Sequence, residues 1–376
     1  MTALLDVYHQ VPLEPVRGEG PWLFDAAGAR YLDAYGGHAV ALLGYAHPRL
    51  LAALQAAARG LFFQSNVVPL AMRERAAARL LAFAPPGFSK VFFVNSGAEA
   101  NENALRVAFL ATGRPNVVAV EGAFHGRTAG AAAVTAGHEK WYGFPGSPCP
   151  VAWVPFGDVG ALEAAVDSRT AAVILEPVQG LAGARELPRP FLEAARRATE
   201  RHGAVLIFDE VQCGMGRTGW PFAAQAYGVT PDLLTTAKGL AGGFPAGALL
   251  LPESLAARVG KGDLGTTFGG GPMAVALVET VIDVIESEGL LERVRRLSAR
   301  LRAEAVGGVV TAVQGAGFLL GLRTTRPAKD VLADLRGRGI LAGGAADPRV
   351  VRLLPPLILE DEHVDRILDG LRAVPA

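Results

Sequence analysis

Short apolar runs with high β-propensity alternate with helical patterns between residues 91 and 288. The runs lie at 91–94, 117–120, 152–154, 171–175, 204–208, 233–236 and 246–251. The helical patterns lie at 98–111, 159–165, 190–201 and 272–288. Strands that alternate with helices form a mostly parallel sheet, and the helices cover both of its faces. The alternation therefore predicts an α/β fold with a mostly parallel central sheet.

The segments on either side of this alternation predict further units. Residues 1–48 have the pattern of an irregular segment with a hairpin near 22–33. Helical spacing recurs at 49–59, 69–83, 290–305, 327–338 and 361–372, and short strands are predicted near 309–313, 318–322 and 350–353. We therefore expect an N-terminal segment over 1–48, a large domain over 49–280 and a small C-terminal α/β domain over 281–376.

Charge and cysteine content narrow the function classes. Basic and acidic residues both number 36, so the net charge is zero, which argues against a nucleic-acid or acidic-membrane partner. No apolar run approaches the ~20 residues of a membrane span, and the N-terminus lacks a signal-peptide pattern. Cys149 and Cys213 have no metal-ligand spacing. We therefore expect a cytoplasmic protein without a metal site.

The stretch 204–238 carries the strongest signal for a functional site. Its first apolar run ends in Asp209 and Glu210, and its second leads to Lys238. Ligands of open parallel sheets bind outside the carboxyl ends of the strands. A carboxylate and an amine at two strand ends therefore predict a ligand site, although the acids could instead cap the next turn.

The same stretch contains a GxGxxG string at 214–219, which is the fingerprint of dinucleotide binding. That motif opens a helix directly from a strand. Here several residues separate the string from the strand, and Trp220-Pro221 follows it. We therefore reject a nucleotide-dependent oxidoreductase, an interpretation that rests on this string alone.

Two loops that are rich in hydroxyl groups and glycine lead into helices. In NSGAEAN, at 95–101, the helix N-terminus could cradle a phosphate on unpaired N–H groups, or Ser96 could be an ordinary N-cap. The loop GTTFGGGP, at 265–272, could hold a second edge of a phosphate or act as a hinge. The sequence alone leaves both alternatives open.

Two arginines are candidates for anion binding. In FHGRT, at 124–128, Phe124 could cover a planar ring and Arg127 could grip a carboxylate, or the two could be a core and a surface residue. We expect a packing role for His125, because no second ligand is spaced to bind a metal with it. Arg352 lies inside an apolar run and needs an anionic partner, which could be a structural salt bridge.

Together the motifs NSGAEAN, FHGRT, LEPVQG, DEVQCGMGRTG, AKGL, GTTFGG and VRLLPP have a characteristic order and spacing. They resemble the class III, fold-type I aminotransferases that depend on pyridoxal 5′-phosphate (PLP), and within them the acetylornithine/succinylornithine aminotransferase group. The resemblance covers nearly the whole chain, from Tyr8 to Arg352. It implies PLP as the cofactor, small-molecule substrates and a homodimer with shared active sites.

The resemblance also implies roles around the cofactor. Lys238 would bond to the cofactor aldehyde and later move a proton, while Asp209 would pair with the ring nitrogen. Val211 and Phe124 would pack on the two ring faces, and Gln212 would hydrogen-bond the phenolic oxygen.

At the phosphate, the resemblance implies that the Gly97 and Ala98 amides bind with help from the Ser96 hydroxyl. Thr267 would reach the phosphate of the neighbouring subunit. The active site would therefore need a homodimer.

For the substrate, the resemblance implies that Arg127 clasps a carboxylate. Arg352 would take the α-carboxylate of glutamate or 2-oxoglutarate, with Arg127 on the distal carboxylate. Glu176 would lie near the cofactor and substrate, and Tyr8 aligns with a substrate-contacting tyrosine. His38 stands where ornithine aminotransferases have a pocket tyrosine.

Three positions depart from the family pattern. Leu181 replaces a glutamate that ordinarily neutralises the second arginine when the ω-amino donor is bound, so Arg352 stays available for an anion. This suggests a donor with a second carboxylate, such as N-succinylornithine. His38 and Leu181 together resemble the subset proposed to use succinylated intermediates. Gly271 replaces the usual asparagine and should loosen the loop beside Thr267.

The predicted reaction moves the δ-amino group of N-acetylornithine or N-succinylornithine to 2-oxoglutarate. The products would be the N-acylglutamate 5-semialdehyde and glutamate, in arginine biosynthesis. Alternatives in the same class are ornithine, 4-aminobutyrate and N-succinyldiaminopimelate aminotransferases. A catalytically silent scaffold is an alternative from another class, and the presence of both Asp209 and Lys238 argues against it.

Overall fold

The computed structural model describes residues 3–376, and a seven-stranded sheet forms its centre. The strands are β1 Pro15–Glu19, β2 Trp22–Asp25, β3 Arg30–Asp33, β4 Lys90–Val94, β5 Asn116–Val120, β6 Val151–Val154, β7 Thr170–Leu175, β8 Val178–Gln179, β9 Arg185–Glu186, β10 Val205–Asp209, β11 Leu233–Thr236, β12 Gly247–Leu251, β13 Val310–Ala316, β14 Leu319–Thr324, β15 Ile340–Leu341, β16 Gly343–Gly344 and β17 Val350–Leu353. The central sheet has the order β4-β12-β11-β10-β7-β5-β6.

All but one of the central strands run in the same direction. The pairs β10–β11, β10–β7, β5–β7 and β5–β6 are parallel, whereas β12 is antiparallel to β11 and to β4. The predicted mostly parallel sheet is therefore confirmed, and each predicted strand between 91 and 251 ends within one residue of its observed bounds. The exception, β12, returns across the sheet without a crossover helix.

Helices cover both faces of this sheet. They are α1 Gly36–Ala39, α2 Pro48–Gly60, α3 Ala71–Phe83, α4 Gly97–Thr112, α5 Ala129–Ala133, α6 Val159–Ala165, α7 Arg189–His202, α8 Ala223–Tyr227, α9 Glu253–Ala256, α10 Pro272–Ser287, α11 Leu290–Glu304, α12 Ala328–Gly337 and α13 Asp361–Arg372, with 3-10 turns at His138–Lys140 and Lys238–Ala241. Of these, α1 is a single turn whose backbone is not right-handed helical at Gly37 and His38.

The central strands divide their side chains between two cores. Along β10, Val205 and Ile207 pack with Ala104 and other residues of α4, whereas Leu206 and Phe208 pack with the cluster that includes Phe191 of α7. Successive side chains of a strand point to opposite faces. This is why β10 is apolar at every position before Asp209 rather than alternating.

The remaining strands form smaller sheets around the C-terminal part of the chain. One sheet has the order β13-β14-β17-β16, and a second joins the N-terminal strands β1-β2-β3 to β15. The pairing of β3 with β15 ties the N-terminal segment to the C-terminal third. The domain division at 49–280 and 281–376 stays a prediction.

Among residues 3–376, none of the helices has the length and apolar character that a membrane crossing requires.

Candidate active site

A cavity of about 400 Å³ opens at the carboxyl ends of β10 and β11, beside the N-terminus of α4. This edge of an open parallel sheet is where ligands bind. Most of the residues predicted for the cofactor line it: Ser96, Gly97, Ala98, Phe124, Asp209, Val211, Gln212 and Lys238. Arg127 and Glu176 line the same cavity.

Asp209 is the last residue of β10 and is buried at the floor of the cavity. Its Oδ2 accepts hydrogen bonds from Asn101 Nδ2 at 2.7 Å and from His125 Nδ1 at 2.8 Å, and its Oδ1 accepts one from Val211 N at 3.0 Å. Three donors on one buried carboxylate satisfy its hydrogen-bonding capacity. They also fix its orientation.

Two of these donors were not predicted as site residues. We expected His125 to pack, but it lies buried against Asp209 and donates to it. Asn101 is buried on α4, where its Oδ1 accepts from Thr235 Oγ1 at 2.6 Å while its Nδ2 reaches Asp209. Asn101 is the last residue of the NSGAEAN motif. Its partners Asp209 and Thr235 lie on β10 and β11, so they cannot be inferred from local spacing.

Lys238 lies two residues after the end of β11 and borders the same cavity. Burial lowers the pKa of its amine, and the charges of Asp209 and Glu176 oppose that effect. Its backbone has a φ of 48°, which is costly for a residue with a Cβ. Strain of this kind is concentrated at functional sites.

At the N-terminus of α4, the N-cap alternative for NSGAEAN is confirmed, whereas the phosphate alternative stays a prediction. Ser96 is the N-cap, with its Oγ accepting from Glu99 N at 3.2 Å and donating to Glu99 Oε2 at 3.0 Å. The next two amides, of Gly97 and Ala98, take part in none of the backbone hydrogen bonds between described residues. These amides can bind an anion, whereas the Ser96 hydroxyl is already engaged.

Glu176 is buried beside Asp209 and is held by backbone donors. Its Oε1 accepts from Phe124 N at 2.9 Å, and its Oε2 accepts from Gly180 N at 3.1 Å. Burial and the neighbouring Asp209 charge raise the pKa of Glu176. Its protonation is therefore sensitive to charges that enter the cavity.

The two arginines occupy different environments. Arg127 is exposed at the rim, with its guanidinium carbon 5.4 Å from the Phe124 ring centroid. Arg352 is buried in β17 and is not among the residues that line the cavity. None of its hydrogen bonds goes to a carboxylate of residues 3–376. The alternative of a structural salt bridge for Arg352 is therefore wrong, because backbone carbonyls and the Tyr35 hydroxyl are its partners.

The other predicted residues lie at the margin of the cavity or outside it. His38 is exposed, and its carbonyl accepts a 3.5 Å hydrogen bond from Gln212 Nε2. Tyr8 is 70% exposed, Thr267 is exposed, and neither lines the cavity of this chain. The loop that carries Thr267 lies close by, since Asn95 Nδ2 donates to Thr266 Oγ1 at 3.3 Å. The roles of Tyr8 and Thr267 stay predictions.

The second acid and the glycine string both serve structure. Glu210 accepts hydrogen bonds from the Ala223 and Ala224 amides, so it caps α8, as the alternative interpretation proposed for both acids. The string at 214–219 forms turns and opens no helix from β10, which agrees with its rejection as a nucleotide site. Its Arg217 is fully buried and donates to the carbonyls of Ala39, Phe318 and Pro355. Within 3–376, no cluster of side chains is suited to hold a metal ion.

A parallel sheet with a buried carboxylate after one strand, a lysine after the next and a free helix N-terminus beside both is the arrangement of a fold-type I transaminase. The class-III aminotransferase family model matches residues 5–374. The chain therefore belongs to the class-III aminotransferases.

Known relatives agree with this assignment over nearly the full length. The chain is 46% identical to the acetylornithine aminotransferase of Streptomyces coelicolor over 380 residues, covering 99% of this chain and 93% of that protein. The solved ornithine aminotransferase of Toxoplasma gondii has a TM-score of 0.92 at 29% identity, covering 99% and 92% of the two chains. The solved acetylornithine aminotransferase of Elizabethkingia anophelis has a TM-score of 0.88 at 28% identity, covering 98% and 96%.

Proposed function

We propose that this aminotransferase uses PLP to move the δ-amino group of N-acetylornithine or N-succinylornithine to 2-oxoglutarate. The products are the N-acylglutamate 5-semialdehyde and glutamate. The proposal includes a place in arginine biosynthesis and a cytoplasmic location. Its substrate rests on the curated relatives, among them the Streptomyces coelicolor and Mesorhizobium japonicum enzymes, which are named acetylornithine aminotransferases at 46% and 41% identity.

The chemistry of the cavity supports PLP as the cofactor. Asp209 offers a fixed carboxylate for the ring nitrogen, and the Gly97 and Ala98 amides offer donors for the phosphate. Gly97 leaves room for Val211, since a Cβ there would lie 2.7 Å from Val211 Cγ1. When bound, PLP draws electrons from the carbon that carries the amino group and so acidifies its C–H bond.

Lys238 is the base that the cavity provides for this C–H bond. Its lowered pKa increases the fraction of neutral amine at neutral pH, and a neutral amine can accept a proton and return it. The strained backbone after β11 holds the amine at the edge of the cavity that Asp209 also borders. With PLP bound, Lys238 would hold the cofactor aldehyde and would move the proton between the substrate and cofactor carbons.

Two arginine side chains bind the carboxylates of the substrates in this proposal. Arg127 at the rim binds the α-carboxylate of the acylornithine and the distal carboxylate of 2-oxoglutarate. Arg352, buried and without an ion-pair partner among residues 3–376, binds the α-carboxylate of glutamate. This uncompensated buried cation is the single observation that carries the assignment of a dicarboxylic acceptor.

We further propose a homodimer in which Thr267 enters the neighbouring subunit's site. Phe268 beside it is 66% exposed, and Phe62 and Phe63 nearby are 66% and 42% exposed. The Phe63 and Phe268 ring centroids lie 5.5 Å apart, so these residues form one apolar surface. Exposed apolar patches of this kind mark interfaces between proteins. Light scattering of the purified enzyme tests for the dimer.

A single-turnover substrate panel tests the proposed reaction. The purified PLP enzyme is mixed with N-acetylornithine, N-succinylornithine, free ornithine, 4-aminobutyrate or N-succinyldiaminopimelate, and loss of the visible absorbance of the PLP form is followed. We expect the N-acylornithines to react with the highest rate constant divided by dissociation constant. Equal turnover of free ornithine would overturn the acylornithine assignment.

Leu181→Glu tests the hypothesis of a succinylated donor. Leu181 is 41% exposed and follows Gly180, whose carbonyl accepts from Arg352 Nη1 at 3.1 Å. A carboxylate at this position would compete for Arg352. We expect selective loss of N-succinylornithine turnover, with Leu181→Gln as the uncharged control. Equal loss on both acylornithines would refute the hypothesis.

A further inference from the structure

The Arg352 guanidinium is held by three neutral oxygen atoms. Nε donates to Gly344 O at 2.6 Å, Nη1 donates to Gly180 O at 3.1 Å, and Nη2 donates to the Tyr35 hydroxyl at 3.1 Å. Neutral acceptors orient a guanidinium without cancelling its charge. A carboxylate in the position of the Tyr35 hydroxyl would both orient it and neutralise it.

The remaining donors of Arg352 suit a carboxylate. A guanidinium has five N–H groups, and the contacts above engage Nε, Nη1 and Nη2 once each. Each terminal nitrogen therefore keeps one N–H without a partner among residues 3–376. One N–H on each terminal nitrogen is the pair that binds a carboxylate in two-pronged fashion.

The Tyr35 hydroxyl also contacts His38. The distance from Tyr35 Oη to His38 Nδ1 is 2.6 Å. Since Tyr35 Oη accepts from Arg352, its own proton is free to be donated to His38 Nδ1, which requires the tautomer with the proton on Nε2. His38 is exposed as a residue, but the partial burial of its ring, followed by the charges of Arg352, Lys238 and Arg127, lowers its pKa and so favours this neutral acceptor.

The backbone that carries His38 is strained. Gly36, Gly37, His38 and Ala39 all have positive φ, between 54° and 69°. The left-handed conformation is unfavourable for residues with a Cβ, so it persists only where the surroundings impose it.

Surrounding contacts fix this turn at both ends. Asp33 Oδ1 accepts from the Tyr35 and Gly36 amides at 2.9 Å each, and the buried Arg217 donates to Ala39 O at 3.4 Å. A Cβ on Gly36 would lie 2.8 Å from Leu354 O, so the turn packs closely against the end of β17. The turn and Arg352 are therefore held in one rigid relationship.

We propose that Tyr35 is a positioning residue for substrate specificity, which His38 orients so that Arg352 presents a charged, two-pronged site to the α-carboxylate of a dicarboxylic substrate. The proposal rests on the proposed function, which supplies glutamate and 2-oxoglutarate as the dicarboxylic partners. In this proposal, the neutral Tyr35–His38 pair makes the contact with Arg352. Leu181 offers no carboxylate that could make it.

Binding of glutarate, an unreactive dicarboxylate, tests the proposal in the PLP enzyme by isothermal titration calorimetry, with butyrate as the monocarboxylate reference. A hydrogen bond from a charged donor is strong and directional, so its loss frees the Arg352 guanidinium to leave the two-pronged geometry. We therefore expect Tyr35→Phe to weaken glutarate binding at least about tenfold more than butyrate binding. Equal weakening of both ligands, or none, would overturn the proposal.

Two further comparisons separate orientation from general damage. His38→Leu removes the acceptor for the Tyr35 proton and should lower the glutarate-to-butyrate affinity ratio, whereas His38→Gln keeps an acceptor and should restore it. Tyr31→Phe is the matched control. The Tyr31 hydroxyl donates to Asp25 Oδ2 at 3.3 Å, and neither residue lines the cavity. Should Tyr35→Phe fail to fold, the two His38 variants decide, and equal ratios in both would reject the proposal.

The proposed function is tested separately by single turnover of glutamate on the wild-type enzyme. Wild-type turnover with an unchanged affinity ratio in Tyr35→Phe would reject the positioning role alone. Absence of glutamate turnover in the wild type would reject the proposed function instead.

Discussion

Gly97→Ala places a methyl group between the proposed phosphate cradle and the side chain proposed to cover the cofactor ring. The added Cβ would lie 2.7 Å from Val211 Cγ1 and 2.9 Å from Val211 Cγ2, closer than carbon atoms approach without movement. In the PLP-free protein, Val211 borders the cavity and can turn into it at little cost. The bound ring would occupy that space, so the cost should fall on PLP binding rather than on folding.

Overpacking of this kind costs about 1–3 kcal/mol. Since about 1.4 kcal/mol corresponds to a tenfold change in affinity, the dissociation constant of PLP should rise roughly fivefold to 150-fold. The assay titrates the PLP-free protein with PLP and follows tryptophan fluorescence, and the melting temperature of the same protein reports on folding. Gly146→Ala is the control, because a Cβ there meets no atom within 4 Å.

A double-mutant cycle with Val211→Ala identifies the source of the effect. The truncated side chain removes both of the close contacts, so the penalty of Gly97→Ala should shrink in that background. An unchanged PLP affinity in Gly97→Ala would refute the reasoning. A full penalty in the double mutant would show that the displaced group is not Val211.

Three other substitutions test the buried polar groups. Asn101→Ala removes the 2.7 Å hydrogen bond to Asp209 and leaves Thr235 without its acceptor. The free energy of unfolding in urea should therefore fall by at least about 2 kcal/mol, and a loss below about 0.5 kcal/mol would contradict this. Asp209→Asn removes a charge that raises the pKa of Lys238. In the PLP-free protein, the pH midpoint for labelling Lys238 with an amine-reactive reagent should therefore move lower. A higher midpoint would count against the geometry. Burial raises the pKa of Glu210 from 4.5 to about 7. As the pH rises, the unfolded chain therefore loses this proton first, and the stability of the folded state falls between pH 4.5 and about 7. Glu210→Gln should therefore gain stability relative to wild type as the pH rises through that window, by up to about 3 kcal/mol, and a pH-independent difference in urea unfolding would reject the assignment.

Much of the fold follows from local patterns. The apolar run at 171–175 predicts β7, because a strand buried on both faces is apolar at nearly every position. The run at 233–236 predicts β11 from two leucines followed by two β-branched threonines. The short pairs β8–β9 and β15–β3 were not predicted, since two-residue strands leave no periodic signal and depend on distant partners. The reversal of β12 is likewise a matter of chain path, because an apolar strand has the same composition in either direction.

By itself, the sequence predicted Asp209 and Lys238 as the cofactor anchors that we propose, because each lies at or just after the end of a strand with a visible pattern. It also determined the family, because ordered motifs over the whole chain are specific. Only the tertiary structure assigned Asn101 and His125 to Asp209, and Tyr35 and His38 to Arg352. These contacts join residues far apart in the chain, and a hydrogen bond depends on distance and direction in space, which spacing along the chain does not specify.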